Sequence, residues 1–180
     1  MSGGRDGLLP TDLTVIVRDI GSLLLMEAGL MTVTTVVALG FWEFYAALGF
    51  LLAGGVTAAV GGLATRRFAD APDPKMKHGM VIAAGGWLMI AVFGSLPLIA
   101  TAWLTPPAVM DAFVPAAADT SSWRPVSVGG TTTVSSLAYF RHPLHAVFES
   151  MSGWTGSGLT MAIREPSLPR AVQWWRSLIQ

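Results

Sequence analysis

The sequence predicts an all-α membrane protein, in which a helical hairpin precedes an incomplete unit made of a helix, a re-entrant loop and a second helix. Of the 180 residues, 52% are hydrophobic and only 12% are charged, whereas soluble domains carry about 25% charged residues. Three apolar stretches reach the length of roughly 20 residues that a helix needs to cross the hydrocarbon core. A shorter stretch near the carboxyl end, followed by glycines, predicts the re-entrant loop.

Composition also narrows the possible functions. The formal net charge is zero, with 11 basic and 11 acidic residues, so no charge excess would attract nucleic acid. Cysteine is absent, which excludes disulfides and thiolate metal sites. The hydroxyls of Ser150, Ser152 and Ser157 have no base and acid arranged beside them, and no phosphate-binding loop is present. The sequence therefore predicts no enzyme activity.

Residues 1–65 are predicted to form the amino-terminal two-helix membrane hairpin. The stretch 20–41 contains a single charged residue, Glu27, and the stretch 44–65 contains none. The corner between them is too short for anything but an antiparallel turn, and its aromatic residues suit a membrane interface. Small residues four apart in the second helix favour close contact with a helix that the sequence does not identify. The charges before residue 20 are unlike a signal peptide, so we expect the first helix to remain in the mature protein.

The loop at 66–79 predicts how the chain is oriented. It contains more basic than acidic residues, namely Arg66, Arg67, Lys75 and Lys77 against Asp70 and Asp73. By the positive-inside rule this loop is cytoplasmic. A multi-pass protein of the cell membrane with a cytoplasmic amino terminus follows, and residues 105–142 would then lie outside.

The remaining residues, 80–180, divide into four predicted parts. A membrane helix is expected at about 80–104, and an irregular extracellular segment at about 105–142, because Pro, Gly, Ser and Thr are frequent there. A half-length helix and a turn follow at 143–160. Residues 168–180 are expected to form the start of a second helix, which is cut after one or two turns.

The half-length helix is defined by its ends. From Pro143 to Trp154 it has about 12 residues and a length of about 18 Å, which is half a bilayer. Proline suits the first turn of a helix. The glycines Gly153, Gly156 and Gly158 are expected to stop it. A helix that crosses half the membrane is re-entrant or interfacial.

The turn after this helix has the properties of a cation site. Non-helical backbone at membrane depth is tolerated only where it is buried in protein or lines a water-filled path. Carbonyl oxygens that face such a path can replace the hydration shell of a cation. The negative carboxyl end of the preceding helix favours a cation as well. We therefore predict that Thr155, Gly156, Ser157 and Gly158 form an ion-binding filter segment.

Residues 148–160, FESMSGWTGSGLT, resemble the first pore loop of the Trk/Ktr/HKT family of potassium transport membrane subunits. The segment GSLPL at 94–98 resembles the end of the preceding helix in that family. The segments LPR at 168–170 and WRS at 175–177 resemble the start of the following helix. The two amino-terminal helices are similar to those that precede the first pore unit in bacterial and archaeal Trk subunits.

The resemblance implies potassium uptake through four non-identical pore units around one pathway. This chain would supply the first of four filter strands, with Gly158 at the central glycine position, which makes the filter potassium-permissive. Potassium would be the transported ligand, with no cofactor and no other metal. The implied partners are membrane lipid, a second copy of the full-length protein in a homodimer, and a cytosolic nucleotide-binding regulatory subunit.

Three residues are predicted to support the filter rather than to bind the ion: Glu149, Ser152 and Gly153. An ionisable group at membrane depth is a functional candidate by default, but the position of Glu149 within the pore helix favours hydrogen bonds that hold the loop. Glu27 needs a partner that faces the protein interior, for which Arg18 is an uncertain candidate. The spacing of His142 and His145 alone does not predict a metal site, since no third ligand is near.

Two other interpretations stay open. Because only one pore loop is present, the chain would also suit a non-conducting membrane scaffold or the truncated remnant of such a transporter. A small channel assembled from identical subunits is disfavoured, because the second pore-lining helix is incomplete. The sequence leaves open the potassium-to-sodium preference, gating, and coupling to protons or sodium.

Overall fold

The computed structural model describes residues 10–180, and its residues are mostly helical. Two antiparallel strands form a small hairpin, in which Val126 pairs with Thr133. Short 3-10 helices cover Ser136–Arg141 and Glu165–Ser167. In chain order the main elements are α1 (Pro10–Gly40), α2 (Phe44–Arg67), α3 (Met76–Leu104), α4 (Pro107–Ala112), β1 (Val126–Val128), β2 (Thr131–Thr133), α5 (Pro143–Thr155) and α6 (Arg170–Leu178).

Three helices, α1, α2 and α3, are long and apolar enough to cross a membrane. The predicted fold class, an all-α membrane protein, is therefore confirmed. Helix α1 extends well ahead of the apolar stretch that begins near Ile20. Its first turns are held to the start of α3, because Asp12 accepts a hydrogen bond of 2.7 Å from Lys77 and lies 2.7 Å from Nε2 of His78.

The small residues of α2 pack against α1, which identifies the partner that the sequence left open. A Cβ atom placed on Gly61 would lie 2.7 Å from the carbonyl oxygen of Gly21, and one placed on Gly21 would lie 2.9 Å from the carbonyl oxygen of Gly61. The two backbones approach so closely that only hydrogen fits between them. In lipid, where no hydrophobic force joins helices, such contact gives the packing energy that holds the hairpin together.

On another face of α2, Gly49 allows an equally close approach of α3. A Cβ atom on Gly49 would lie 2.5 Å from the hydroxyl oxygen of Thr101 and 2.8 Å from its main-chain nitrogen. Thr101 is completely buried. The hairpin and the third helix therefore form one packed bundle.

The segment between α3 and α5 is more ordered than the irregular connection that the sequence predicts. It contains α4, the β1–β2 hairpin and a 3-10 helix. Arg141 joins these parts to the end of α3, since its guanidinium donates to the carbonyl oxygens of Ala102 and Thr105 and to the hydroxyl of Thr131. On α4, Asp111 accepts from Thr133 in β2. Composition missed this order because its source is a set of specific polar contacts.

Helix α6 is capped by a residue from the far amino-terminal hairpin. The carboxylate of Glu43, in the corner between α1 and α2, accepts the main-chain N–H groups of Arg170 at 2.7 Å and Ala171 at 2.9 Å. The first N–H groups of a helix have no partner within it, and a negative charge there also interacts well with the helix dipole. Further along α6, Trp175 packs edge-on against Phe50 of α2.

We expect Gly61→Ala to destabilise the α1–α2 hairpin by about 1–3 kcal/mol, because the added methyl meets backbone that cannot move aside. Gly55→Ala in the same helix is the matched control, since nothing lies within 4 Å of its added methyl, and it should be neutral or slightly stabilising. Thermal unfolding of the purified protein in detergent measures both. Equal melting temperatures for the two variants would contradict the packing described here.

Candidate functional site: the pore helix and its turn

The segment from α5 to α6 enters and leaves at the same end of the helical bundle. Before α5, Ser135 donates to the carbonyl oxygen of Ser167 at 2.5 Å, and the N–H of Ser136 donates to the hydroxyl of Ser167 at 2.8 Å. The N–H of Arg164 donates to the hydroxyl of Ser136 at 2.8 Å. These bonds join the entry of the loop to its exit. The chain therefore follows a re-entrant course.

Helix α5 descends along α3 to about the middle of the bundle. Its residues Ser150 and Trp154 lie against Gly94 of α3. Gly94 is about 15 Å from the end of α3 at Leu104, at 1.5 Å per residue. The indole N–H of Trp175 in α6 also reaches the carbonyl oxygen of Gly94, at 3.3 Å. The carboxyl end of α5 thus lies at the depth where α3 and α6 meet.

Glycine ends α5 through a Schellman motif. Gly156 has a left-handed backbone with φ 62°, and its N–H donates to the carbonyl oxygen of Gly153 at 2.9 Å. The N–H of Ser157 donates to the carbonyl oxygen of Ser152 at 3.1 Å. This pattern satisfies the last carbonyls of a helix and needs a residue without Cβ at the turn. Of the three glycines expected to stop the helix, Gly156 does so, whereas Gly153 lies inside it.

The turn presents a row of unpaired main-chain oxygens. Thr155 to Thr160 are all exposed, and Gly158 has φ 70°. Within residues 10–180, no donor is hydrogen-bonded to the carbonyl oxygens of Thr155, Gly156, Ser157 or Gly158. The four residues predicted to form the filter are therefore the exposed end of α5 and the start of the turn after it.

Ser152 holds this segment from α5. Its hydroxyl donates to the carbonyl oxygen of Leu159 at 2.5 Å and lies 2.8 Å from the hydroxyl of Ser157. The side chain is buried. A short hydroxyl one turn before the end of α5 thus fixes the middle of the turn against the helix.

Glu149 holds the next part of the strand. Its buried carboxylate accepts the N–H of Met161 at 2.7 Å and the hydroxyl of Thr160 at 3.0 Å. It also pairs with Arg176 of α6, at 2.5 Å from Nε, and Arg176 pairs in turn with Glu165 at 2.7 Å. Glu149 therefore has its charge compensated and faces the backbone of the loop.

Arg176 is the residue of this site that sequence reasoning missed. In the sequence it stands out only as part of the segment WRS at 175–177, which resembles the start of the following helix. An ionised carboxylate buried at membrane depth is commonly paired with a base. That tendency, applied to Glu149, would have directed attention to the arginine of the following helix.

Gly153 lies directly against Ile179, the residue just after α6. A Cβ atom there would lie 2.6 Å from two side-chain carbons of Ile179.

Arg18, the candidate partner of Glu27, instead donates to Asp19 at 2.8 Å and to the carbonyl oxygen of Ala71 at 2.6 Å. The suggested Arg18–Glu27 pair is therefore wrong.

The two histidines at the start of α5 stack on each other. The ring centroids of His142 and His145 are 4.5 Å apart, and Nδ1 of His145 lies 3.0 Å from the carbonyl oxygen of Tyr139. Across residues 10–180, no group of three or more side chains of the metal-binding types comes together.

Membrane-length helices together with a half-length helix that returns to the end where it entered define a helical membrane protein with a re-entrant loop. Comparison with known families makes the assignment specific. The chain belongs to the TrkH family of cation transport proteins, whose model matches residues 78–180, more than half of the chain. The members of this family are transporters and not enzymes.

Two relatives match beyond the family region. An uncharacterised cation transporter of Methanocaldococcus jannaschii is 24% identical over 173 residues, which is 96% of this chain. The Trk system potassium uptake protein TrkH of Halomonas elongata is 28% identical over 174 residues, which is 93% of this chain. In both cases the chain spans 28% of the length of the relative.

Gly153→Ala should destabilise the protein by about 1–3 kcal/mol, because the methyl overlaps Ile179 where the pore helix meets α6. Ile179→Ala in the same chain removes the overlapping carbons, so the double variant should recover part of the loss. Unfolding temperatures of the two single variants and the double variant, compared as a cycle, measure this coupling. Additive effects would show that the two residues do not meet.

Proposed function

We propose that the complete protein mediates potassium uptake across the cell membrane through a carbonyl-lined selectivity filter. Thr155, Gly156, Ser157 and Gly158 supply the first of its four strands. The observation that carries this proposal is that these four residues are exposed and that no donor within residues 10–180 is bonded to their main-chain oxygens. Oxygens in this arrangement are able to take the place of the water around a monovalent cation.

The surroundings of the turn favour a cation. Helix α5 directs its negative carboxyl end toward the turn, and the effect is strongest within the last helical turn. No side-chain carboxylate has to bind the ion, since Glu149 is engaged with Thr160, Met161 and Arg176. We assign Glu149, Ser152 and Gly153 to holding the filter strand in place.

The filter would prefer potassium over sodium. The residue at its centre, Gly158, has no side chain that could narrow the path or bring a hydroxyl group into it. The printed name of the Halomonas elongata relative, a potassium uptake protein, supports the same ion.

We further propose the orientation and the partners of the complete protein. The ends of α1, α2 and α3 near the basic loop 66–79 lie together, as the bond from Arg18 to Ala71 shows. The re-entrant segment is at the opposite end, next to the end of α3. A cytoplasmic basic loop and amino terminus then place the filter toward the outside. Family resemblance supports a homodimer and a cytosolic nucleotide-binding regulatory subunit as partners.

Replacing Gly158 with serine in the complete protein tests the filter. Serine at φ 70° is strained, and its side chain enters the path of the ion, so we expect the potassium-to-sodium preference to fall about tenfold, or roughly 1.4 kcal/mol in relative barrier height. Rubidium and sodium uptake into cells that lack other potassium transporters measures the preference.

Gly130→Ser is the matched control for this experiment. Gly130 lies in the β1–β2 turn with φ 73°, and like Gly158 it has nothing within 4 Å of an added Cβ. The backbone strain is therefore the same, but the ion path is not touched, and the preference should stay unchanged. Unaltered uptake and selectivity in Gly158→Ser would contradict the filter assignment.

A further inference from the structure

Glu27 is a carboxylate in the middle of α1 that is completely buried. Among the described residues, neither of its oxygens has a hydrogen-bond partner of regular geometry. Two donors close to it are in the same situation, the hydroxyl of Ser150 and the indole N–H of Trp154. An unsatisfied buried polar group costs about 1–3 kcal/mol, so three of them together require an explanation.

All three groups converge on one glycine of α3. A Cβ atom built on Gly94 would lie 2.6 Å from Oε1 of Glu27, 2.6 Å from the hydroxyl oxygen of Ser150 and 3.1 Å from Nε1 of Trp154. The missing side chain therefore leaves a notch in α3, through which a residue of the hairpin reaches the pore helix. The carboxylate, the hydroxyl and the indole N–H therefore lie side by side at this notch.

The chemistry of the notch favours mutual hydrogen bonding over a bound metal ion. An indole N–H is a donor only and cannot coordinate a cation, whereas a carboxyl oxygen is a natural acceptor for both an indole and a hydroxyl. The notch thus brings an acceptor from α1 to two donors from α5.

The two donors lie on one face of α5, and the filter contacts lie on another. Ser150 and Trp154 are four residues apart and hence on the same side of the helix. Glu149 and Ser152, three residues apart, hold the returning strand. Any rotation or shift of α5 on the hairpin side is therefore transmitted to the filter side.

We infer that Glu27 is a positioning residue for the filter. By accepting hydrogen bonds from Ser150 and Trp154 through the notch at Gly94, it sets the depth and rotation of the pore helix. The amino-terminal hairpin thereby acts on ion selection although it does not line the ion path. This inference rests on the proposed filter function of residues 155–158.

The test uses the complete protein and compares Glu27→Leu with Glu27→Gln. Leucine removes the acceptor, so the potassium concentration for half-maximal uptake should rise about fivefold, or roughly 1 kcal/mol, at equal amounts of protein in the membrane. Glutamine keeps a carbonyl acceptor and should restore a value close to that of the unmodified protein. Thr34→Val is the control, because Thr34 is equally buried in α1 but its hydroxyl bonds only the carbonyl oxygen of Leu30 in its own helix.

Trp154→Phe provides a second route if Glu27→Leu does not accumulate in the membrane. It removes the indole N–H and keeps an aromatic ring, so the half-maximal concentration should rise in the same direction. The inference is wrong if Glu27→Leu, or in its place Trp154→Phe, behaves like Thr34→Val. Gly158→Ser in the same assay distinguishes a failure of the filter assignment from a failure of the role inferred for Glu27. If Gly158→Ser has no effect, the filter assignment itself is wrong.

Discussion

A main-chain carbonyl without a partner cannot be exposed to hydrocarbon, and this constraint determines how the carboxyl half of the molecule is built. Thr155 at the end of α5 and the three residues after it have four such oxygens in succession, counted over residues 10–180. Such backbone is tolerated at membrane depth only where it is buried in protein or lines a water-filled path. The contacts from α5 hold the backbone just after these oxygens, at Leu159 and Met161.

The structure satisfies this requirement with a small number of polar contacts from rigid helices. Gly156 closes the helix, Ser152 holds Leu159, and Glu149 holds Met161. Arg176 compensates the charge of Glu149. Because these contacts start from helices and not from loops, they hold the segment more precisely than loop contacts would.

The sequence was most informative where a single physical rule decides the structure. The length and apolarity of α1, α2 and α3 predicted three membrane helices, and a glycine-rich end predicted where α5 stops. It was less informative for contacts between distant residues. The cap of α6 by Glu43 and the pair of Glu149 with Arg176 depend on which elements meet. No local sequence pattern encodes which distant elements come into contact.

Because contacts between distant residues are not encoded locally, the suggested Arg18–Glu27 pair was wrong and the contacts of the segment after α3 were not foreseen. Arg18 was considered for Glu27 only because it is close in the chain, whereas the groups that face Glu27 come from α5, more than a hundred residues away. The segment after α3 was expected to be irregular because its composition is rich in turn-forming residues. Its order depends on the guanidinium of Arg141, which composition does not reveal.

The central claim is that the carbonyl oxygens of residues 155–158 face the permeating ion. Crystals of the complete protein grown with rubidium, measured at the rubidium absorption edge, test it most directly. The account predicts an anomalous peak about 3 Å from those oxygens, at the distance expected for carbonyls that replace the hydration shell. A structure in which the ions lie elsewhere and the strand packs against lipid or another helix would contradict it.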